Sequence, residues 1–66
     1  MKYYAIAFDE YIAPNHDAIH LARSNDYSDC YQMAMRGIKI LGKRHGKWHE
    51  RHLRRTLEIV EMPEEY

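Results

Sequence analysis

A single cysteine, Cys30, in a chain of 66 residues excludes an internal disulfide. A chain this short buries only about 60% of the surface that it exposes when unfolded, so its apolar core is thin. Domains of this size commonly add disulfides, a structural metal or self-association to remain folded. We therefore expect the chain to gain stability from a partner protein or from a homodimer. A lone cysteine is also typical of a reducing compartment, which predicts a cytoplasmic protein.

The amino-terminal segment is too short to be a targeting signal. Its apolar stretch starts at Tyr3 and stops at Asp9, which is shorter than a signal-peptide core and far shorter than a membrane span. The composition is typical of a globular protein, with 45% hydrophobic and 30% charged residues. We expect one soluble domain over residues 1–66, with residues 62–66 as a flexible tail and no membrane partner.

Two strands are predicted in the first third of the chain. Large and small side chains alternate over Tyr3–Asp9, with the period of two that places alternate residues on opposite faces of a strand. We expect the face with the larger side chains to point into the core: Tyr4, Ile6 and Phe8. Residues 18–23 alternate in the same way, with Ile19 and Leu21 on one face. Turn-forming residues at 14–17 predict that the two strands form a hairpin.

A helix is the most strongly indicated element. Polar residues at 24–29 can accept hydrogen bonds from the free N–H groups of a first helical turn. Apolar residues then recur at spacings of three and four, which predicts a helix with one buried stripe: Tyr27, Tyr31, Ala34, Ile38 and Leu41. Gly42 suits the left-handed position just past a helix end, so the helix is expected to stop at Leu41.

The last element can be interpreted as a strand or as a helix. Branched, alternating residues over Leu53–Glu61 favour a third strand that ends before Pro63. A helix from Lys47 to Glu61 is the competing interpretation. With the strand, the fold is α+β in the order β-β-α-β, a small single domain with a three-stranded, mainly antiparallel sheet and one helix packed on one face. The predicted core comprises Tyr4, Ile6, Phe8, Ile19, Leu21, Tyr31, Ala34, Ile38, Leu41, Leu57 and Ile59.

The zero net charge hides a strong asymmetry. Residues 36–55 contain eight basic residues and only one acidic residue, a net charge of +7, and the rest of the chain carries −7. Lys and Arg can neutralise phosphates, and a tryptophan can stack on an unpaired base. This segment is therefore a candidate surface for a nucleic acid or a protein partner: Lys43, Arg44, Lys47, Trp48, Arg51, Arg54 and Arg55. No helix-turn-helix, zinc-finger or RNA-recognition motif accompanies it.

Tyrosine is enriched, with six in 66 residues. Protein interfaces favour tyrosine because its ring offers a large, rigid contact area with a polar tip. We expect three tyrosines on the sheet face that the helix leaves uncovered, where they would form a candidate protein interface: Tyr3, Tyr11 and Tyr27.

The chain shows no arrangement that specifies catalysis. Cys30 lies beside the apolar stripe, which favours a core thiol over a nucleophile. Asp9 and Glu10 are adjacent, so they point to opposite faces, and we interpret them as the solvated end of a strand. Three histidines have metal-ligand spacing for a helix: His45, His49 and His52. Because Gly46 interrupts that run, we expect surface histidines instead. We predict no enzyme, no metal and no cofactor.

Two functions remain. The first is a non-enzymatic protein-binding module, an inhibitor or adaptor that blocks or modulates a partner complex, including a nucleoprotein complex. Small accessory proteins of phages and mobile elements are commonly of this kind, among them inhibitors of host defence systems such as CRISPR complexes, a comparison that rests on size class alone. The alternative is a small nucleic-acid-binding protein that uses the basic segment 43–55. The sequence favours the first.

Overall fold

The computed structural model describes residues 2–63, which form three strands and two helices. In chain order these are β1 (Lys2–Ala7), β2 (Ile19–Ser24), α1 (Tyr27–His45), α2 (Lys47–Thr56) and β3 (Glu58–Met62). The strands form one antiparallel sheet in the order β2-β1-β3, so β1 is central. The predicted α+β class and three-stranded sheet are confirmed. The predicted order β-β-α-β is only roughly matched, because a second helix precedes the last strand.

The central strand β1 turns its small side chains towards the helices. Ala5 and Ala7 are fully buried, whereas Tyr4 and Ile6 are partly exposed on the opposite face of the sheet. The alternation was therefore predicted correctly, but the buried face was assigned wrongly. Short alanine side chains allow α1 and α2 to pack close to β1, and the bulk of the core comes from the helices instead. Phe8, also predicted in the core, lies beyond the end of β1 and packs against neither of the two buried clusters.

The start of α1 follows the predicted capping. Asp26 precedes the helix in extended conformation, and its carboxylate accepts a hydrogen bond of 3.0 Å from the Asp29 N–H. The buried stripe of α1 consists of Cys30, Ala34, Ile38 and Gly42. Tyr31, predicted in the core, is 45% exposed at the edge of this stripe.

The end of α1 lies one turn beyond the predicted position. Gly42 is buried inside the helix, and the residue with a positive φ is Gly46, at 113°. The Gly46 N–H donates to the Gly42 carbonyl oxygen at 2.8 Å and closes the last turn. Gly42 serves a different purpose, because α2 crosses there and the side chain of Glu50 occupies the space that a Cβ atom would need.

The segment predicted as one strand over Leu53–Glu61 is divided between a helix and a strand. Residues up to Thr56 belong to α2, where Leu53 is fully buried, and pairing with β1 begins at Glu58. Thr56 ends the helix by binding the backbone of Phe8. Its hydroxyl oxygen accepts from the Phe8 N–H at 3.0 Å and lies 3.1 Å from the Phe8 carbonyl oxygen. The strand interpretation and the helix interpretation of this segment are therefore each half correct.

Two adjoining buried clusters form the core on the helix side of the sheet. The first contains Ala5, Cys30 and Ala34, and the second contains Ala7, Ile38 and Leu53. Partly buried residues from both edge strands, from α1 and from the link between α2 and β3 close these clusters, among them Ile19, Leu21, Leu41, Leu57 and Ile59, all predicted core residues. At the end of β3, Met62 pairs with Lys2, so the predicted tail does not begin at residue 62. Residues 64–66 of that tail lie outside the described residues.

Candidate functional site

The loop that follows β1 is held against α2 by a buried carboxylate. Asp9 is 2% exposed, and its side chain accepts hydrogen bonds from His49 Nδ1 at 2.7 Å and from the Tyr11 N–H at 2.9 Å. Its carbonyl oxygen accepts from the N–H groups of Ile12 and Ala13. The prediction that Asp9 is the solvated end of a strand is therefore wrong. Asp9 instead links the loop after β1 to the first turn of α2.

The charge state of Asp9 follows from these contacts. Burial raises the pKa of the Asp9 carboxyl, but hydrogen bonds from His49 and the Tyr11 N–H outweigh burial, and the pKa lies below its ordinary value of 3.8. An ionised carboxylate can only accept hydrogen bonds, so the His49 Nδ1 atom carries the proton of this contact. His49 is thereby held in one orientation, with its ring among the aromatic side chains of α2 and the loop.

Five rings, with that of His49 at the centre, form a continuous aromatic cluster. The ring of His49 makes edge contacts with three neighbours, at centroid distances of 5.7 Å to Tyr11, 5.8 Å to His45 and 4.9 Å to Trp48. Trp48 also lies parallel to His52, with centroids 5.0 Å apart and an interplanar angle of 8°. Despite these contacts Tyr11 is 82% and Trp48 56% exposed, so the cluster presents a large apolar area to solvent.

Two depressions adjoin the cluster and share a wall. The first, which we call the aromatic pocket, has a volume of about 300 Å³ and is lined by Phe8, Asp9, Glu10, Tyr11, Ala13, His16, Trp48 and His52. The second, which we call the arginine groove, has a volume of about 210 Å³ and is lined by Trp48, Arg51, His52 and Arg55. Trp48 and His52 belong to both, so an aromatic surface and a cationic surface are continuous.

The structure separates the basic residues predicted as a site. Arg51 and Arg55 join Trp48 in the arginine groove. Arg54 faces elsewhere: it binds Glu50 at 3.1 Å and lines a recess with Met35, Arg36 and Lys39. The other predicted residues are exposed at the end of α1 and the start of α2 and line neither the aromatic pocket nor the arginine groove: Lys43, Arg44 and Lys47.

The three tyrosines predicted as one interface do not share a surface. Tyr3 packs against the buried cluster on the helix side of the sheet, where its ring meets the edge of Tyr27 at 5.6 Å. The prediction that Tyr3 lies on the uncovered face is therefore wrong, because Tyr3 shares its face of β1 with the buried residues Ala5 and Ala7. Tyr11 lies beyond the other end of β1, with its ring centroid 6.1 Å from that of Trp48. Of the three predicted interface tyrosines, only Tyr11 therefore lies beside the predicted basic segment, next to Trp48.

Sequence reasoning missed the residues that hold the site together. Asp9 and His49 are 40 positions apart, and no periodicity or motif connects them. The same is true of Tyr11 and Trp48. The only local signal was Asp9 itself, an acidic residue directly after an apolar strand. That pattern is compatible with a buried carboxylate and with an exposed one.

Residues 2–63 offer little for metal or thiol chemistry. Over that range no three His, Cys, Asp or Glu side chains are placed to hold a metal ion. The Cys30 thiol is fully buried, and burial, together with the nearby Asp29 carboxylate, raises its pKa, which disfavours the reactive thiolate. Neither helix of the described part of the chain is long and apolar enough to cross a membrane.

No protein-family model, curated protein or solved structure matches the chain.

Proposed function

We propose that this protein binds nucleic acid through α2, with phosphates in the arginine groove and the aromatic cluster beside them. The observation that carries the proposal is the position of Trp48, a largely exposed indole whose neighbours on one side are Arg51 and Arg55. Surfaces that bind nucleic acid regardless of its base sequence combine two components: cations that neutralise phosphates, and exposed aromatic rings on which bases stack. The arginine groove and Trp48 supply both.

The charge distribution on α2 supports this proposal. The helix carries four basic residues and one acidic residue, Glu50, and that carboxylate is bound by Arg54. Arg51 and Arg55 lie on a different side, and within residues 2–63 no carboxylate is within salt-bridge distance of them. Planar guanidinium groups bind phosphate with two parallel hydrogen bonds, so this pair of arginines suits an external anion.

The rigidity of the support also favours a binding surface. Arg51, His52 and Arg55 project from one helix, whose first turn is fixed to the loop by the Asp9–His49 contact and whose last residue, Thr56, is bonded to the backbone of Phe8 just past β1. A surface held at both ends loses little conformational freedom when it binds. We propose binding without catalysis, since the groups that are fixed here act as structural contacts rather than as an activated nucleophile.

The test is fluorescence anisotropy with labelled oligonucleotides at about 50 and about 200 mM salt. Each phosphate contact contributes about 0.7–0.9 to the slope of log affinity against log salt, so the double variant Arg51→Ala/Arg55→Ala should lower that slope by about 1.4–1.8. The matched control is Arg36→Ala/Lys39→Ala, which removes two charges from the recess beside Arg54. Equal losses in both double variants would indicate general electrostatic attraction and would contradict a site in the arginine groove.

A second candidate, a protein-binding inhibitor or adaptor of a larger complex, such as a host defence complex, is favoured by one observation. The sheet face opposite the helices exposes an apolar area in which Tyr4 pairs with Val60 and Ile6 lies two residues along β1. Val60 is 38% exposed. Uncovered apolar faces and free strand edges are common sites of protein association. Under this function, Val60→Lys should abolish the biological effect of the protein, whereas the Arg51→Ala/Arg55→Ala variant should retain it.

A further inference from the structure

We infer that the nucleic acid is single stranded and that one of its bases enters the aromatic pocket. This inference rests on the proposed function and adds the class of ligand and its orientation. The geometry that supports it is the shared wall between the aromatic pocket and the arginine groove, formed by Trp48 and His52.

The aromatic pocket has the size and the walls for one flat ring. Its volume of about 300 Å³ is at the lower end of the range for small-molecule sites. Besides two histidines, its walls include one phenylalanine, one tyrosine and one tryptophan ring: Phe8, Tyr11 and Trp48. In a duplex both faces of each base are covered by its neighbours in the stack, so only an unpaired base can offer a face to these rings.

The charges of the two depressions are opposite, which sets the orientation of the ligand. Glu10 lines the aromatic pocket with an exposed carboxylate, 3.3 Å from His16, and the carboxylate of Asp9 is already occupied by His49 and the Tyr11 N–H. A carboxylate repels phosphate but accepts hydrogen bonds from the amino groups of bases. The base therefore lies towards Glu10, and the phosphate lies across Trp48 in the arginine groove.

This orientation predicts a preference among bases. Cytosine, adenine and guanine carry an exocyclic amino group that can donate to Glu10, whereas thymine and uracil do not. Stacking itself is tolerant of sequence, so the preference should depend on Glu10 and the affinity on the rings of Tyr11 and Trp48.

The experiment measures binding of oligodeoxycytidylate and oligodeoxythymidylate of about 12 nucleotides, and of a duplex of the same length. Anisotropy gives the affinities, and Trp48, the one tryptophan of the chain, reports stacking by quenching of its fluorescence. We expect the single strands to bind about tenfold more tightly than the duplex, and cytidylate more tightly than thymidylate.

Three variants separate the contributions. Tyr11→Ala should weaken single-strand binding about tenfold, and Glu10→Gln should remove the preference for cytidylate while leaving the salt slope unchanged. Tyr27→Ala is the matched control, because Tyr27 is also an exposed tyrosine, at 55%, but packs against Tyr3 at the other end of β1. Tyr27→Ala should bind like the wild type.

The outcomes distinguish the two proposals. Duplex binding that equals or exceeds single-strand binding, with the salt slope still dependent on Arg51 and Arg55, would overturn this inference and leave the proposed function intact. Single-strand binding without quenching of Trp48, or without loss in Tyr11→Ala, would overturn the pocket as the base site. If neither single strands nor duplex bind at about 50 mM salt, both the inference and the proposed function are wrong.

Discussion

Replacing Gly42 with alanine tests how closely α1 and α2 approach each other. A Cβ atom at Gly42 would lie 2.6 Å from Cβ and 2.9 Å from Cγ of Glu50. Non-bonded carbon atoms normally rest about 3.5–4.0 Å apart, so α2 would have to move away by roughly 1 Å. The side chain of Glu50 cannot rotate out of the way, because its Cβ atom is fixed to the backbone of α2.

The expected loss of stability is the difference between two effects. Overpacking of this kind costs about 1–3 kcal/mol, and the upper half of that range applies where the contact is with an atom fixed to the backbone. Alanine gains about 1 kcal/mol over glycine in a helix interior. The net loss in the free energy of unfolding is therefore about 1–2 kcal/mol, which lowers Tm by about 4–16 °C in a domain of this size.

Gly37→Ala is the matched control in the same helix. A Cβ atom at Gly37 would meet Leu21 Cδ2 at 3.5 Å, an ordinary contact, so this variant should gain up to about 1 kcal/mol from helix propensity alone. Thermal and urea unfolding followed by circular dichroism would measure both variants. Two stabilised variants would show that α2 does not pack against Gly42. The arginine groove, whose position depends on that of α2, would then be placed wrongly.

Three further predictions concern the buried and strained residues. Because the pKa of Asp9 is lowered in the folded state, the ionised carboxylate stabilises the fold above about pH 4, and this contribution is lost as the pH falls through the folded-state pKa. The Asp9→Asn variant lacks that titration, so its Tm should fall less than that of the wild type when thermal melts are repeated below about pH 4. His49→Ala should cost about 1–3 kcal/mol at neutral pH by urea unfolding, since it leaves a buried carboxylate without its side-chain donor, and a variant as stable as the wild type would contradict the contact. Gly46→Ala should cost about 1–3 kcal/mol through its φ of 113° alone, as nothing lies within 4 Å of the added Cβ, and an unchanged Tm would refute that conformation.

Local signals were sufficient for the start of α1 and insufficient for its end. The cap at Asp26 involves residues three positions apart, so the sequence around it contains all of the information. The role of Gly42 depends on Glu50 of the next helix, and no local pattern distinguishes a glycine that ends a helix from one that admits a neighbouring helix. Gly42 directly follows Leu41, whereas Gly46 lies four positions further on in a polar segment, so the local pattern favoured Gly42 as the residue with a positive φ.

The buried face of β1 was assigned wrongly for a related reason. Large residues are expected in a core, and Tyr4 and Ile6 are larger than Ala5 and Ala7. Which face is buried is decided by the distance between helices and sheet, however, and close packing on a central strand requires small side chains. The same limit applies to Leu53, whose position fits a strand or a helix equally until the bond between Thr56 and the backbone of Phe8 is known.

The candidate site was predictable where its residues are close in the sequence. Trp48, Arg51 and Arg55 were found because their spacing and charge are visible in one segment. Tyr11 and the Asp9 carboxylate come from the loop after β1, and only the tertiary fold brings them to α2. The sequence also could not predict that Arg51 and Arg55 line the arginine groove while Arg54 lines another recess. That division depends on which side of α2 faces the loop after β1.

The antiparallel pairing of β1 with β3 has a practical consequence for attaching other molecules to this protein. Lys2 lies opposite Met62, whereas the aromatic pocket begins just past the other end of β1. Six residues of strand separate the two, a distance of about 20 Å. A dye, a surface tether or a fused domain can therefore be attached at Lys2 or at Met62 with the same result. Both positions lie at the end of β1 that is far from the groove in which an oligonucleotide is expected to lie.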